Sequence, residues 1–132
     1  MRFAKSVQVG LLSAVAIGIV GLTVPVGAQT SDAASEGMAL FEAQCSICHA
    51  TAKNQPSMLA PNLFGVVGRK AGSAEGFAYS AALKDSSEVW STETLNTFLT
   101  APSTVIPGTR MTVAVPDDEH RAEIIAYLAT LR

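Results

Sequence analysis

Apolar residues are spaced differently in successive parts of this chain, and each spacing predicts a different element. Residues 7–24 form an apolar run broken only by small or polar single positions. Further on, Gly37, Phe41 and Cys45 recur at spacing four, which puts them on one side of a helix. Ser35 is placed to cap that helix, with Glu36 in its first turn. A glycine costs a helix stability, so Gly37 reads as a point where another backbone comes close. From 50 to 76 no period persists, and Pro56, Pro61, Gly65, Gly68, Gly72 and Gly76 predict turns and loops. A loop of that length needs something inside it to pack against.

Periodicity returns later. A short helical turn is predicted over 80–84. Ser91 or Thr92 can cap a helix reaching about Thr100, with Leu95, Phe98 and Leu99 on its apolar face. Ala101-Pro102 ends it. Residues 103–116 are irregular. Asp117 or Asp118 then caps a last helix, whose Ile124, Tyr127, Leu128 and Leu131 follow i, i+3, i+4, i+7 and predict a buried stripe. No stretch alternates as a strand does. The pattern predicts an all-α domain of a few helices joined by long loops.

The N-terminal run changes the picture of the ends. Arg2 and Lys5 precede it, and Val26-Gly27-Ala28 follows with small residues, the order of a secretory signal peptide. The expected organisation is a signal peptide over 1–28, a flexible tether over 29–34 and one domain over 35–132. The alternative is a retained inner-membrane anchor facing the periplasm, since the run is about long enough to span a bilayer. Removing Arg2 and Lys5 from nine basic residues leaves seven against eleven acidic ones, a formal charge of -4. With no basic run and no aromatic-basic interleaving, nucleic-acid binding is excluded.

The candidate chemistry is Cys45-Ser46-Ile47-Cys48-His49, which uses both cysteines of the chain. C-x-x-C-H is the attachment signature of a c-type haem. Thiols three apart on a helix point to nearly the same side and can form thioethers along one edge of the ring, while His49 supplies an iron ligand. A redox-active dithiol is the competing use of the pair. For the sixth iron position the chain offers Met111, on a late loop shaped by Pro107 and Gly108. Met58 and His120 are the alternatives, and Met38 reads as a packing residue on the first helix. Two axial side chains leave no vacant position for substrate, so the chain reads as an electron carrier and not an enzyme. The alternatives to that are a peroxidase-type enzyme or the haem subunit of a periplasmic dehydrogenase.

From about Gly37 to Leu131 the sequence resembles class I c-type cytochromes, the mitochondrial proteins and their soluble alphaproteobacterial counterparts. The resemblance rests on Gly37 with Phe41, the haem motif, Ala60-Pro61-Asn62-Leu63 with Gly65, Gly68-Arg69-Lys70, Gly76-Phe77-Ala78-Tyr79-Ser80, Trp90, Pro107-Gly108-Thr109-Arg110-Met111 and the helix from Arg121. It implies the cytochrome c fold, helices and loops wrapped around one covalent haem c. It also implies that the Pro61 carbonyl accepts the His49 ring N–H, and that Arg69, Tyr79 and Trp90 compensate a buried propionate. Thr109 would bond near that propionate or the haem edge. Gly37 and Phe41 would cross the last helix at Ile124 and Tyr127. The implied partners of this monomeric periplasmic carrier are a cytochrome bc complex, a terminal oxidase or reaction centre, and haem-attachment machinery. Phe98 and Leu83 stand where the family often has polar groups, which predicts a drier pocket. Lys53, Arg69, Lys70 and Arg110 predict a weakly positive haem face that steers the docking of partners.

Overall fold

The computed structural model describes residues 26–132, and all of its regular structure is helical. The elements are α1 (Val26–Gln44), α2 (Ala81–Lys84), α3 (Thr92–Thr100), α4 (Pro102–Val105) and α5 (Asp118–Thr130). The expected signal peptide falls mostly on residues 1–25, outside the described residues. Among the described residues no helix is long and apolar enough to cross a membrane.

α1 begins well before Ser35. Residues 29–34, expected as a loose tether, continue it as helix. No proline or glycine lies between 28 and 36, so nothing in that stretch stops the helix, and Ser35 sits inside it. Met38 on α1 is 43% exposed, so it is not the packing residue expected.

α1 and α5 cross at Gly37. An added Cβ there would lie 1.9 Å from the Glu123 carbonyl oxygen, a distance no side chain tolerates. Gly37 is therefore the close-approach residue that its spacing suggested. The Phe41 and Tyr127 rings meet beside it at 5.4 Å. Phe41, Ile124, Ile125 and Leu128 are buried, and with Trp90, Leu95, Phe98 and Leu99 they form the core.

The caps follow from side chains. Ser91 and Thr94 close a capping box at α3: the Thr94 N–H donates to Ser91 Oγ at 3.2 Å and the Ser91 N–H to Thr94 Oγ1 at 2.9 Å. Asp117 Oδ1 accepts the His120 N–H at 2.9 Å at the start of α5. Pro102 ends α3 and is also the first residue of α4, a short helix that the irregular pattern of 103–116 did not predict. Its fixed φ suits a helix start, where the missing N–H is not needed.

Two loops are stitched together without forming a strand. An isolated antiparallel bridge joins Lys70 and Val89, flanked by Trp90 N–H to Arg69 carbonyl at 2.9 Å and Gly68 N–H to Trp90 carbonyl at 2.7 Å. This holds Trp90 and Arg69 beside each other at the edge of the core.

Candidate haem site

α1 delivers the motif. Its hydrogen-bond ladder runs one residue further through Cys45 N–H to Phe41 carbonyl at 2.8 Å, and the turn closes with His49 N–H to Cys45 carbonyl at 3.0 Å. Cys45, Cys48 and His49 are thereby held within one helical turn. All three line a cavity of about 550 Å³ whose walls are mainly apolar. The two cysteines are not joined in a disulfide. Burial raises the Cys45 thiol pKa, and the neighbouring Cys48 raises it further.

His49 is fixed by a backbone acceptor. Its Nδ1 lies 2.8 Å from the Pro61 carbonyl oxygen. A carbonyl can only accept, so Nδ1 carries the hydrogen and Nε2 keeps its lone pair. Burial lowers the His49 pKa, opposed by the Pro61 bond, and so favours the neutral, ligating form. The loop carrying Pro61 is itself locked. Asn62 Nδ2 donates to the Ala52 and Gln55 carbonyls at 3.0 and 2.6 Å, and its Oδ1 accepts the Phe64 N–H at 2.7 Å.

Arg69, Tyr79, Trp90 and Met111 line the same cavity. Arg69 donates to the Phe64 and Asn62 carbonyls, both at 2.9 Å, which uses part of its five-donor fork. Burial lowers its pKa, with Tyr79 acting against the shift. Burial also raises the Tyr79 pKa, opposed by a bond from the Ala74 backbone and by Arg69. Trp90 is buried against Phe98 with ring centroids 5.0 Å apart. Phe98 and Leu83 both contribute apolar wall.

Thr109 does not line the cavity. Its Oγ1 turns back within the Pro107–Met111 bend and accepts the Met111 N–H at 3.3 Å, so it shapes the ligand loop from within. Met58 and His120 are exposed and line no part of the cavity. Of the four cations expected to make the haem face weakly positive, two line the cavity and two do not. Lys53 and Lys70 are not on the lining. The cations that are, Arg69 and Arg110, are engaged with backbone carbonyls: Arg110 donates to that of Ala78 and lies 5.9 Å from the Phe77 ring centroid. What sequence reading missed is an apolar rim. Leu59 and Ile47 are 78% and 76% exposed, with Val113 beside the same cavity. Their places next to the Pro61 segment, inside the haem motif and just after Met111 were the available signal.

The donor set fits a haem. It joins two thiols on one helical turn, a neutral imidazole with its second nitrogen engaged, a thioether, and an apolar wall with polar groups gathered at Arg69, Tyr79 and Trp90. Among the described residues no group of three or more His, Cys, Asp or Glu side chains could hold a bare metal ion.

Comparison with known proteins agrees. The Cytochrome c family model matches residues 34–132. Cytochrome c of Tetrahymena pyriformis is 46% identical over 111 residues, 83% of this chain and 94% of that protein. Cytochrome c of Euglena viridis is 42% identical over 75% of this chain and 97% of its own length. Cytochrome c2 of Rhodopila globiformis is 41% identical over 74% and 92%. The cavity, its thiols and imidazole and these likenesses agree: the chain belongs to the cytochrome c family as a class I c-type cytochrome, and its cofactor is one haem c bound covalently through Cys45 and Cys48.

Proposed function

We propose that this haem-based electron carrier works in the periplasm, taking single electrons from a quinol-oxidising cytochrome bc complex and passing them to a terminal oxidase or reaction centre. The observation that carries the reading is that His49 and Met111 line one cavity, with His49 already oriented by Pro61. Bound haem supplies the one-electron ferrous–ferric couple, and histidine–methionine ligation raises its reduction potential. The residues do the rest. His49 and Met111 would hold the iron between them and leave no position for substrate, which favours a carrier over a peroxidase. Apolar Phe98, Leu83, Leu95 and Val66 keep water out. Arg69, Tyr79 and Trp90 balance a propionate charge.

The partner reads the rim. Leu59, Ile47 and Val113 offer it an apolar contact around the cavity mouth, beside the exposed Arg110. Such a surface suits a small, transient interface. The N-terminal segment directs export and is cleaved, after which haem-attachment machinery joins the ring to Cys45 and Cys48. The test is to mix pre-reduced protein with membranes carrying an oxidase, and oxidised protein with membranes carrying a bc complex. Turnover in both directions without hydrogen peroxide consumption is expected. Rapid peroxide turnover by the native ferric protein, with no oxidation by membranes, would overturn the reading.

A further inference from the structure

Arg121 is buried and polar, and it lies outside the haem cavity. Its guanidinium joins three parts of the fold. Nε donates to Asn96 Oδ1 on α3 at 2.7 Å. Nη1 donates to the Val115 carbonyl at 2.8 Å and, more weakly, to the Pro116 and Asp117 carbonyls at 3.2 and 3.4 Å. Nη2 bonds Asp118, whose side chain is 92% exposed, so that ion pair contributes little. The main partners are therefore a backbone segment and an amide, reached by a planar fork that a lysine cannot imitate.

The segment so gripped ends the stretch that carries Met111. Val115 gives its N–H to the Leu99 carbonyl at the end of α3 at 2.8 Å and its carbonyl to Arg121. Its side chain is buried. Between Met111 and this fixed point lie Thr112, Val113 and Ala114, all exposed, and among the described residues no hydrogen bond joins them to other segments. On the other side of Met111, Arg110 holds the Ala78 carbonyl from an exposed position. The upstream anchor is wet and the downstream anchor is dry, and hydrogen bonds out of water hold more firmly.

We propose that Arg121, braced by Asn96, is a positioning residue that holds Met111 at the haem iron by fixing the far end of its loop at Val115. The inference rests on the reading of Met111 as the sixth ligand. An outside ligand can bind the ferric iron only in molecules whose Met111 has left it. Its apparent affinity therefore reports the fraction of molecules in that state. Loosening the anchor raises that fraction.

The experiment titrates imidazole into the ferric holoprotein and follows the far-red methionine-to-iron band. The variants are Asn96→Leu, which removes the brace alone, and Arg121→Lys, which keeps the charge and loses the fork. Ile125→Val, a core change on α5, serves as a comparison for general destabilisation. The expected result is an imidazole affinity raised about fivefold or more in both anchor variants. Ile125→Val should show no such rise, even where its denaturation midpoint falls as far. Wild-type affinity in Asn96→Leu and Arg121→Lys, or a rise that merely follows the denaturation midpoint in all three variants, would overturn the inference. If Arg121→Lys does not fold, Asn96→Leu alone decides. If wild-type protein lacks the methionine band, the ligand reading itself fails, a result distinct from an intact band with unmoved affinities.

Discussion

The two sides of the haem site are built differently. The His49 side is a dense, local lattice: the motif turn closes on Cys45, His49 bonds Pro61, and Asn62 ties three backbone groups of the same loop. Nearly all of it lies within about twenty residues of sequence, from Cys45 to Phe64. The Met111 side is a strap fixed at its ends. Thr109 and Arg110 hold it upstream, Val115 and Arg121 hold it downstream, and the residues between are exposed. One side is therefore fixed by contacts local in sequence. The other depends on distant elements, and it is where the site would open first.

The largest effect comes from breaking the His49 side at its centre. His49→Ala is expected to leave no protein with a six-coordinate low-spin spectrum, as read by visible absorption of purified material. Next is the helix crossing that carries both sides. Gly37→Ala pushes a Cβ into the Glu123 carbonyl, and backbone cannot yield as a side chain can. A loss of at least about 3 kcal/mol in chemical denaturation is expected. Asn62→Ala removes the lock on the Pro61 loop and should cost about 2 kcal/mol. It should leave imidazole affinity at the wild-type value, because the Met111 strap is held independently. The smallest effect concerns the mouth common to both sides. With the apolar Leu59, Ile47 and Val113 as the main contact, the rate of reduction by bc-containing membranes should change less than about threefold between roughly 20 and 200 mM salt.

The same contrast explains what could be read from the sequence. Cys45, Cys48 and His49 were legible because attachment chemistry fixes their spacing. α3 and α5 were legible because their caps and apolar stripes are local signals. Gly37 announced the crossing because a helical glycine needs a reason. The early start of α1 was not legible, since residues 29–34 are neutral enough to be helix or coil and only the continuing helix decides. α4 was hidden because Pro102 was read solely as a stop. The bond that Thr109 Oγ1 accepts from the Met111 N–H was not legible, because only the shape of the bend brings the two together. The contact of Arg110 with the Ala78 carbonyl, 32 residues away in sequence, was not legible because it is non-local. Arg121 and Asn96, 25 residues apart, left no sequence signal of their pairing.

The central claim is a closed iron site with His49 and Met111 as its axial ligands. It is tested most directly by the far-red absorption of the ferric holoprotein in three forms: wild type, Met111→Ala and Met58→Ala. The account predicts the methionine-to-iron band in wild type and in Met58→Ala, and its loss in Met111→Ala with the haem still covalently attached. A band that survives Met111→Ala would contradict it.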